Sequence, residues 1–181
     1  KGTIGQIRYV QPANTEKDDF FVPRVIQSLP LKKKPRETKE RVFPDRAGTS
    51  AGKEIALYLG LKLVNEGAVA IFCGRKDTAA NLCEMADDKF TPELEMPKPL
   101  EYSDEEEVGR ICSLIKANFG ISSSAATSAA VGIFPHHGNT PHGIRLAVED
   151  AMRSGQIRFV VCTSTLAQGV NLPIRYLIVS S

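Results

Sequence analysis

The sequence lacks the signals that would direct a protein into or across a membrane. Its apolar runs are all much shorter than the ~20 residues that a transmembrane helix needs. The opening residues, KGTIGQIRYV, contain neither the apolar core of a signal peptide nor an initiating methionine. We therefore expect a cytoplasmic piece of a longer chain, with no membrane among its partners.

Paired cysteines are missing as well. The four cysteines are scattered, each lies inside an apolar pattern, and no two have the CxxC spacing: Cys73, Cys83, Cys112 and Cys162. This pattern argues against a disulfide framework and against a cysteine-based metal site. It predicts reduced core residues in a protein of the cytosol.

The composition is that of one ordinary globular domain. The chain has 181 residues, 42% of them hydrophobic, and a formal charge of +2. Charge is uneven along it, because LKKKPRETKER (residues 31–41) is basic and residues 84–107 are acidic and contain prolines. We expect both stretches to be solvated loops, although the basic one could contact nucleic acid phosphates.

Residues 1–46 are predicted to be a β-rich connecting segment that ends in a basic linker. Ile4 to Gln11 and Phe20 to Gln27 have the composition of strands, and the polar stretch QPANTEKDD separates them. Pro30 to Arg46 is typical of a linker. The main domain is predicted to span residues 47–181.

From residue 47 onward, helical and strand patterns alternate. Apolar runs predict strands at Ala68 to Cys73, Val131 to Phe134, Ile157 to Cys162 and Tyr176 to Val179. Apolar positions at helical spacing predict four helices that bury the following sets: Ile55, Ala56, Leu59 and Leu63; Ala79, Leu82, Cys83 and Ala86; Val108, Ile111, Cys112 and Ile115; Ile144, Ala147, Val148, Ala151 and Met152.

Capping residues predict where these helices begin and end. The expected N-terminal caps are, in order, Thr49 or Ser50, Asp77, Ser103 in a capping box, and Thr140 followed by Pro141. Gly67, Gly120 and Gly155 are expected to end three of the helices. The small residues of Ser122 to Ala130 suit either a tightly packed helix or a loop.

This alternation with short links predicts an α/β fold, a parallel sheet with helices on both faces. Ligands of such sheets bind at the carboxyl ends of the strands. Three of the predicted strands are followed there by the loops GRKDT, PHHGNTP and TSTLAQGVNLP. All three are rich in glycine, hydroxyl, amide or basic groups, so we expect the functional residues in them.

The most specific of these loops is TSTLAQGVNLP, residues 163–173. Thr163 leaves a buried strand and can present its hydroxyl and backbone N–H to a phosphate. Gly169 allows close backbone approach, and Asn171 carries a short amide that could bind a sugar hydroxyl. An ordinary connection between two strands is the alternative interpretation.

Three segments of the chain resemble, in order and spacing, the second RecA-like lobe of superfamily 2 helicases. TSTLAQGVNLP resembles motif V in the form found in the superkiller-type DExH branch. AIFCGRKDTAANLC resembles motif IV, and FPHHGNTPHGIRLAVEDAMRSGQIRFVVCTST resembles the segment between them. The resemblance covers residues 67–181. It implies a RecA-like sheet of the P-loop NTPase type, here without its own P-loop.

Within this resemblance, six residues fall where the family contacts the nucleic acid backbone. Thr163 corresponds to the motif V threonine. The others lie in the motif IV loop, or on the histidine-glycine turn and the helix behind it: Gly74, Arg75, His137, Gly138 and Arg145. The implied partner is single-stranded DNA or RNA.

Two further residues, Gly169 and Asn171, fall where the family lines the nucleotide cleft. Asn171 replaces an aspartate that meets the ribose in many DEAD-box relatives, and Gln168 replaces their arginine. His142 replaces the glutamine of those relatives, which favours the DExH branch. The implied cofactors are ATP and Mg²⁺, held mainly by a first RecA-like lobe that this sequence does not contain.

Some of these residues have simpler interpretations. Arg145, near a helix start, could form a surface ion pair. His136, His137 and His142 invite a zinc hypothesis, but no cysteine or carboxylate stands at ligand spacing beside them and structural zinc takes four ligands. A buried or hydrogen-bonded histidine turn is the favoured alternative.

The stretch AGTSAGKE, residues 47–54, resembles a phosphate-binding loop but fails its requirements. That loop needs G-x-x-x-x-G-K-S/T after a buried strand. Ala47 replaces the first glycine, and Glu54 replaces the hydroxyl that binds magnesium. The preceding residues do not form a core strand pattern. We expect Gly48 to Gly52 to be the entry and first turn of a helix.

The catalytic motifs of a complete motor are also absent. The chain has no phosphate loop, no D-E-x-H motif and, after motif V, no motif VI with its glycine-arginine pairs. The resemblance therefore implies a second motor lobe truncated before motif VI, catalytic only as part of a complete ATP-dependent helicase. A RecA-like scaffold that binds proteins is the alternative. A Rossmann enzyme is disfavoured because no G-x-G-x-x-G follows a strand.

Overall fold

The computed structural model describes residues 26–32, 40–90, 94–166 and 171–180. The predicted strand Ile4 to Gln11 lies outside them, as does Phe20 to Gln27 except for its last two residues. Along the chain the elements are β1 (Leu29–Leu31), β2 (Arg41–Phe43), α1 (Ala51–Leu63), β3 (Val69–Cys73), α2 (Lys76–Phe90), α3 (Glu105–Phe119), α4 (Ser124–Ala130), β4 (Phe134–His136), α5 (His142–Arg153), β5 (Phe159–Cys162) and β6 (Tyr176–Ser180).

Strands β3 to β6 form a parallel sheet in the order β4-β5-β3-β6, which confirms the predicted α/β class. The two central strands are buried almost throughout because helices cover both faces. Strand β4 lies three residues later than predicted. Gly132, at φ 84°, forms a turn where the strand was expected to begin.

Alternate residues of β3 define the two halves of the core. Ile71 and Cys73 face α1 and α2 and belong to one cluster of buried residues. Ala70 faces α3, α4 and α5 and belongs to the other. This division follows from the two-residue period of a strand, which sends successive side chains to opposite faces.

The predicted buried positions of α2 and α3 are all buried, and those of α5 are buried except Ala147, which is half-buried. Helix α1 differs. Leu57, Tyr58 and Leu61 are buried there, whereas the predicted Ile55, Leu59 and Leu63 are only half-buried. The reason is that α1 packs against the sheet on one side and against β2 on another, where the Phe43 and Tyr58 rings lie 6.0 Å apart.

Several helices begin one or two residues from the predicted caps. Ser50 precedes α1 but makes no side-chain capping bond, and Asp77 lies inside the first turn of α2. Asp104, rather than Ser103, caps α3, because its carboxylate accepts the N–H of Glu107 at 2.8 Å. Pro141 occupies the N-cap position of α5 and Thr140 precedes it. Gly120 and Gly155 have positive φ after α3 and α5, as expected, whereas α1 ends at Leu63, before the predicted stop at Gly67.

The described parts of the predicted linker, residues 30–32 and 40–46, contain paired strands, which corrects that interpretation. Residues 29–31 pair antiparallel with residues 41–43. Leu31 and Phe43 are buried in the core cluster of α1 and α2. Two apolar side chains, one in each strand, thus anchor a segment whose overall composition is polar. The domain boundary at residue 46 stays a prediction.

The acidic segment, residues 84–107, is also more ordered than a solvated loop. Helix α2 continues to Phe90, and the following Leu94 and Met96 are buried in the core. A 3-10 turn at Pro99–Tyr102 then joins the segment to the sheet side, where Leu100 N–H donates to the carbonyl of Val131 at 3.0 Å. The apolar residues among the charges determine this packing.

Candidate nucleic-acid interface

The carboxyl ends of three neighbouring strands bring most of the predicted contact residues to one edge of the sheet. Gly74 and Arg75 follow β3, His137 and Gly138 follow β4, and Thr163 follows β5. Because β5 lies between β4 and β3, the three loops are adjacent although residues 74 and 163 are far apart in sequence. The structure thus assembles these five residues on one side of the molecule.

Two hydrogen bonds connect the three loops. The N–H of Thr163 donates to the carbonyl of His136 at 3.1 Å, which extends the β4–β5 pairing. The Lys76 ammonium donates to the Asn139 side-chain oxygen at 3.3 Å, joining the loop after β3 to the loop after β4. Both Lys76 and Asn139 are exposed. The edge therefore presents a continuous polar surface with two cations, Arg75 and Lys76.

The two glycines of this edge leave space above the backbone. A Cβ added at Gly74 or at Gly138 would meet no heavy atom within 4 Å. Beside Gly74, a cavity of about 390 Å³ opens between Arg75, Thr78 and the end of β6. Accessible backbone N–H groups next to cations suit contact with phosphate oxygens.

His137 is held inside its turn. It is only 7% exposed, and its Nδ1 accepts the N–H of Asn139 at 3.3 Å. The carbonyl of His137 accepts the N–H of Thr140 at 2.9 Å. Burial lowers the pKa of His137, and the neighbouring His136 and Lys76 lower it further, against an opposing effect of Asp77. The residue supports the turn, with its ring Nδ1 as an acceptor.

His136 is completely buried and its Nε2 lies 2.6 Å from the Oε1 atom of Glu149 on α5. His136 is thus a buried, hydrogen-bonded histidine, which is the interpretation that the sequence favoured over a zinc ligand. Among the described residues, no group of three or more possible metal ligands comes together. His142 lies exposed at the first position of α5.

Arg145 lies half-buried in the first turns of α5, so its guanidinium is near the amino end of that helix. Its Nε is buried and has no hydrogen-bond partner among the described residues. A surface ion pair was the alternative interpretation of Arg145, and no such pair involves its Nε among the described residues. An unpaired buried donor is costly, which makes an external acceptor favourable.

Of the two residues predicted to line the nucleotide cleft, the structure describes one. Gly169 and Gln168 lie outside the described residues. Asn171 is exposed beside a cavity of about 230 Å³, otherwise lined by Phe72, Cys162, Thr163, Leu166, Leu172, Ile174 and Leu177. No charged side chain of the described residues lines this cavity. Asn171 can offer an amide to a sugar and Thr163 a hydroxyl to a phosphate, but the described lining supplies no charged ligand for phosphate or Mg²⁺.

The cysteines take no part in the chemistry of this edge. All four are free and buried. Burial raises the pKa of Cys73 to about 11 and the pKa values of Cys83 and Cys162 to about 12. These thiols stay protonated at neutral pH, as expected of core residues rather than nucleophiles.

Sequence reasoning missed three residues of this site: Lys76, Asn139 and Glu149. Lys76 and Asn139 stand beside predicted residues in GRKDT and PHHGNTP, so their position directly after strands was a usable signal. Glu149 gave no such signal, because its partner is thirteen residues away and the contact depends on how α5 packs on β4.

Comparison with known proteins agrees with this geometry. Residues 105–181 match the model of the helicase conserved C-terminal domain. With the parallel sheet and its covering helices, this match establishes the α/β RecA-like fold. No helix in the described part of the chain is long and apolar enough to cross a membrane.

Three curated relatives illustrate the similarity. ATP-dependent DNA helicase Hel308 of Aeropyrum pernix is 45% identical over 56 residues, which are 31% of this chain and 8% of that protein. Hachiman protein HamB of Bacillus cereus is 23% identical over 163 residues, 90% of this chain and 14% of that protein. Helicase POLQ-like of Caenorhabditis elegans is 30% identical over 122 residues, 66% and 13% respectively. The chain spans a small part of each relative, and the matches support a C-terminal helicase lobe.

Proposed function

We propose that this chain is the second motor lobe of an ATP-dependent helicase or translocase and grips the backbone of a single nucleic acid strand. The contact residues would be Gly74, Arg75, His137, Gly138, Arg145 and Thr163. Most of their contacts would be to phosphate and sugar, so binding would not depend on base sequence.

The observation that carries the proposal is the assembly of three loops at one edge of the sheet. The bond from Thr163 N–H to His136 and the bond from Lys76 to Asn139 bring the residues after β3, β4 and β5 together. This edge is where open α/β sheets bind their ligands. The match to a helicase domain and the helicase relatives support the same assignment.

The nucleotide would lie between this lobe and a first RecA-like lobe. Asn171, with Gly169, would line the cleft from this side, while the partner lobe would hold the phosphates and Mg²⁺. Closing and reopening of the lobes would convert ATP hydrolysis into movement along the strand. The motif V form and His142 favour the superkiller-type DExH branch of superfamily 2. The four free cysteines support a cytoplasmic location.

The experiment is ATP hydrolysis by the intact protein that carries this chain, with and without single-stranded DNA and RNA, compared with the 181-residue chain alone. Turnover that one polymer stimulates, and that is absent from the chain alone, is expected. Thr163→Ala and Arg145→Ala should weaken this stimulation while leaving the fold intact by circular dichroism. Unchanged stimulation in both variants would refute the proposal.

A specific observation favours a second candidate, a RecA-like scaffold that binds proteins. Leu177 and Val179 project from β6 with exposures of 64% and 70%, next to the apolar cavity of about 230 Å³. Such a surface suits protein contact. A folded intact protein without turnover under any of the conditions above would favour this scaffold.

A further inference from the structure

We propose that His136 and Glu149 are positioning residues for the nucleic-acid interface, although neither is assigned a contact with the strand. Their hydrogen bond would fix α5 and the loop after β5 relative to the end of β4. This inference rests on the proposed function, because the property that it controls is affinity for a single strand.

The hydrogen bond between His136 and Glu149 is short, and water is largely excluded from it. His136 is 0% exposed, and the Glu149 side chain is 14% exposed. The Nε2–H of His136 donates to the Glu149 carboxylate, with Nε2 and Oε1 2.6 Å apart. Hydrogen bonds to an ionised group are among the strong ones, and exclusion of water strengthens them. The other ring nitrogen, Nδ1, has no partner among the described residues. Within that part of the chain, the bond to Glu149 is therefore the hydrogen bond that holds the His136 ring in place.

The same two residues are attached to three parts of the interface. The carbonyl of His136 accepts the N–H of Thr163 at 3.1 Å, and His137 follows it directly in the chain. Glu149 lies four residues after Arg145 on α5, which places both on one side of the helix. The ring of His136 therefore connects the helix that carries Arg145 to the strand end that holds Thr163.

Loss of the carboxylate would leave a buried donor without an acceptor. Such a group costs its desolvation free energy unless it moves toward water. Either α5 or the end of β4 would shift to relieve that cost, and Arg145 and Thr163 would no longer be held at a fixed separation. Small misplacements of binding groups reduce affinity without altering chemistry elsewhere.

The test uses Glu149→Ala in the intact protein, with Asp150→Ala as the matched control because the Asp150 side chain is 80% exposed on the same helix. The readout is the concentration of an unstructured oligo-dT or oligo-U that half-saturates ATP hydrolysis. We expect Glu149→Ala to raise it about tenfold with kcat at saturation unchanged, and Asp150→Ala to leave both unchanged. Glu149→Gln, which keeps an oxygen acceptor, should restore most of the affinity.

A second measurement separates positioning from a general loss of stability. Glu149→Ala combined with Thr163→Ala should lose less affinity than the two effects summed, since Glu149 acts by positioning the strand end to which Thr163 is bonded. If Glu149→Ala does not fold, Glu149→Asp, whose shorter side chain withdraws the carboxylate, should raise the half-saturating concentration about threefold.

Two failures can be told apart. If Thr163→Ala weakens strand binding but the folded Glu149 variants keep the wild-type half-saturating concentration, or if they only lower the melting temperature, the positioning role is wrong. If the wild-type protein shows no strand-stimulated turnover and no strand binding, the proposed function itself fails and the positioning role falls with it.

Discussion

Glu54 and Lys89 form a buried ion pair that holds α1 against α2, with Lys89 Nζ 3.2 Å from Glu54 Oε1 and both side chains 10% exposed. The other carboxylate oxygen of Glu54 accepts the backbone N–H of Asp45 at 2.6 Å. Glu54 is the residue that stands where a phosphate loop would have its magnesium-binding hydroxyl. The structure gives it an architectural role, which agrees with the prediction that AGTSAGKE is a helix entry.

Replacement of Glu54 should therefore destabilise the fold. Glu54→Ala leaves the Lys89 ammonium, buried beside Phe43, with the more distant Asp88 carboxylate at 3.8 Å, and it removes the acceptor of the Asp45 N–H. The loss of these two contacts should cost about 2 kcal/mol. Glu84→Ala, an exposed carboxylate on α2, is the matched control and should change the free energy of unfolding by less than about 0.5 kcal/mol. Urea unfolding of both variants gives the comparison, and equal midpoints would show that the pair contributes nothing.

The sequence was sufficient for the elements that periodicity defines and insufficient where a few side chains decide the packing. Strand β3 and helix α3 lie where apolar runs and stripes predicted them. Composition suggested that residues 30–46 were a linker, yet Phe43 is completely buried against Tyr58. A single aromatic ring in a polar segment has no periodic signal, and its burial depends on a groove formed by other elements.

The site shows the same limit. The predicted strand ends indicated which loops would carry the site, and the resemblance to helicases indicated Thr163 as a contact residue within them. The bond from Lys76 to Asn139 arises from the spatial order β4-β5-β3, which differs from the order along the chain. The contact of His136 with Glu149 arises from the packing of α5 on β4. Sequence order alone does not tell which two loops are neighbours.

Gly132 should be intolerant of any side chain. Its φ is 84°, and an added Cβ would lie 2.4 Å from the backbone nitrogen of Leu100. Because that neighbour is backbone, it cannot move aside without displacing the packed acidic segment. We expect Gly132→Ala to lower the free energy of unfolding by about 3 kcal/mol, from strain and overlap together.

Gly120 provides the control for this prediction. Its φ is 89°, but a Cβ there would meet nothing within 4 Å. Its ψ is 155°, and this extended conformation at positive φ is essentially confined to glycine. Gly120→Ala should therefore cost only the backbone strain, about 2 kcal/mol. Chemical denaturation of the two variants separates strain from overlap, and a Gly132→Ala protein as stable as Gly120→Ala would contradict the close approach to Leu100.

The titration of His137 should make stability depend on pH in one direction. Its pKa is lowered from 6.5, so the unfolded chain binds the proton more readily than the folded one. The contribution of neutral His137 to the free energy of unfolding is complete above pH 6.5 and is lost as the pH falls below that value. Protonation also removes the Nδ1 acceptor for Asn139 N–H.

His137→Asn keeps an acceptor near the Nδ1 position and removes the titration. Between about pH 7.5 and about pH 5.5, the wild type should lose more stability than this variant. The comparison cancels the contributions of other titrating groups. Parallel stability–pH curves from urea unfolding would show that the His137 pKa is the same in the folded and unfolded chains.

Lys76 should contact a phosphate of the bound strand through the same ammonium that bonds Asn139. It is exposed, it begins α2, and it lies between the loops after β3 and β4. A cation that neutralises one phosphate releases counterions when it binds. Its removal should therefore weaken binding similarly for all sequences and reduce the dependence of affinity on salt.

Lys76→Ala tests this directly. The slope of log affinity against log salt concentration should become shallower by about 0.7, the value for one phosphate of a single strand. Arg153→Ala is the matched control, because Arg153 is an exposed cation in the last turn of α5, toward the opposite edge of the sheet. Fluorescence anisotropy of a labelled oligo-dT and oligo-U over a range of salt gives both slopes. If Arg153→Ala changes the slope as much as Lys76→Ala, the attraction comes from net charge, and the edge formed by β3, β4 and β5 is not the strand-binding surface.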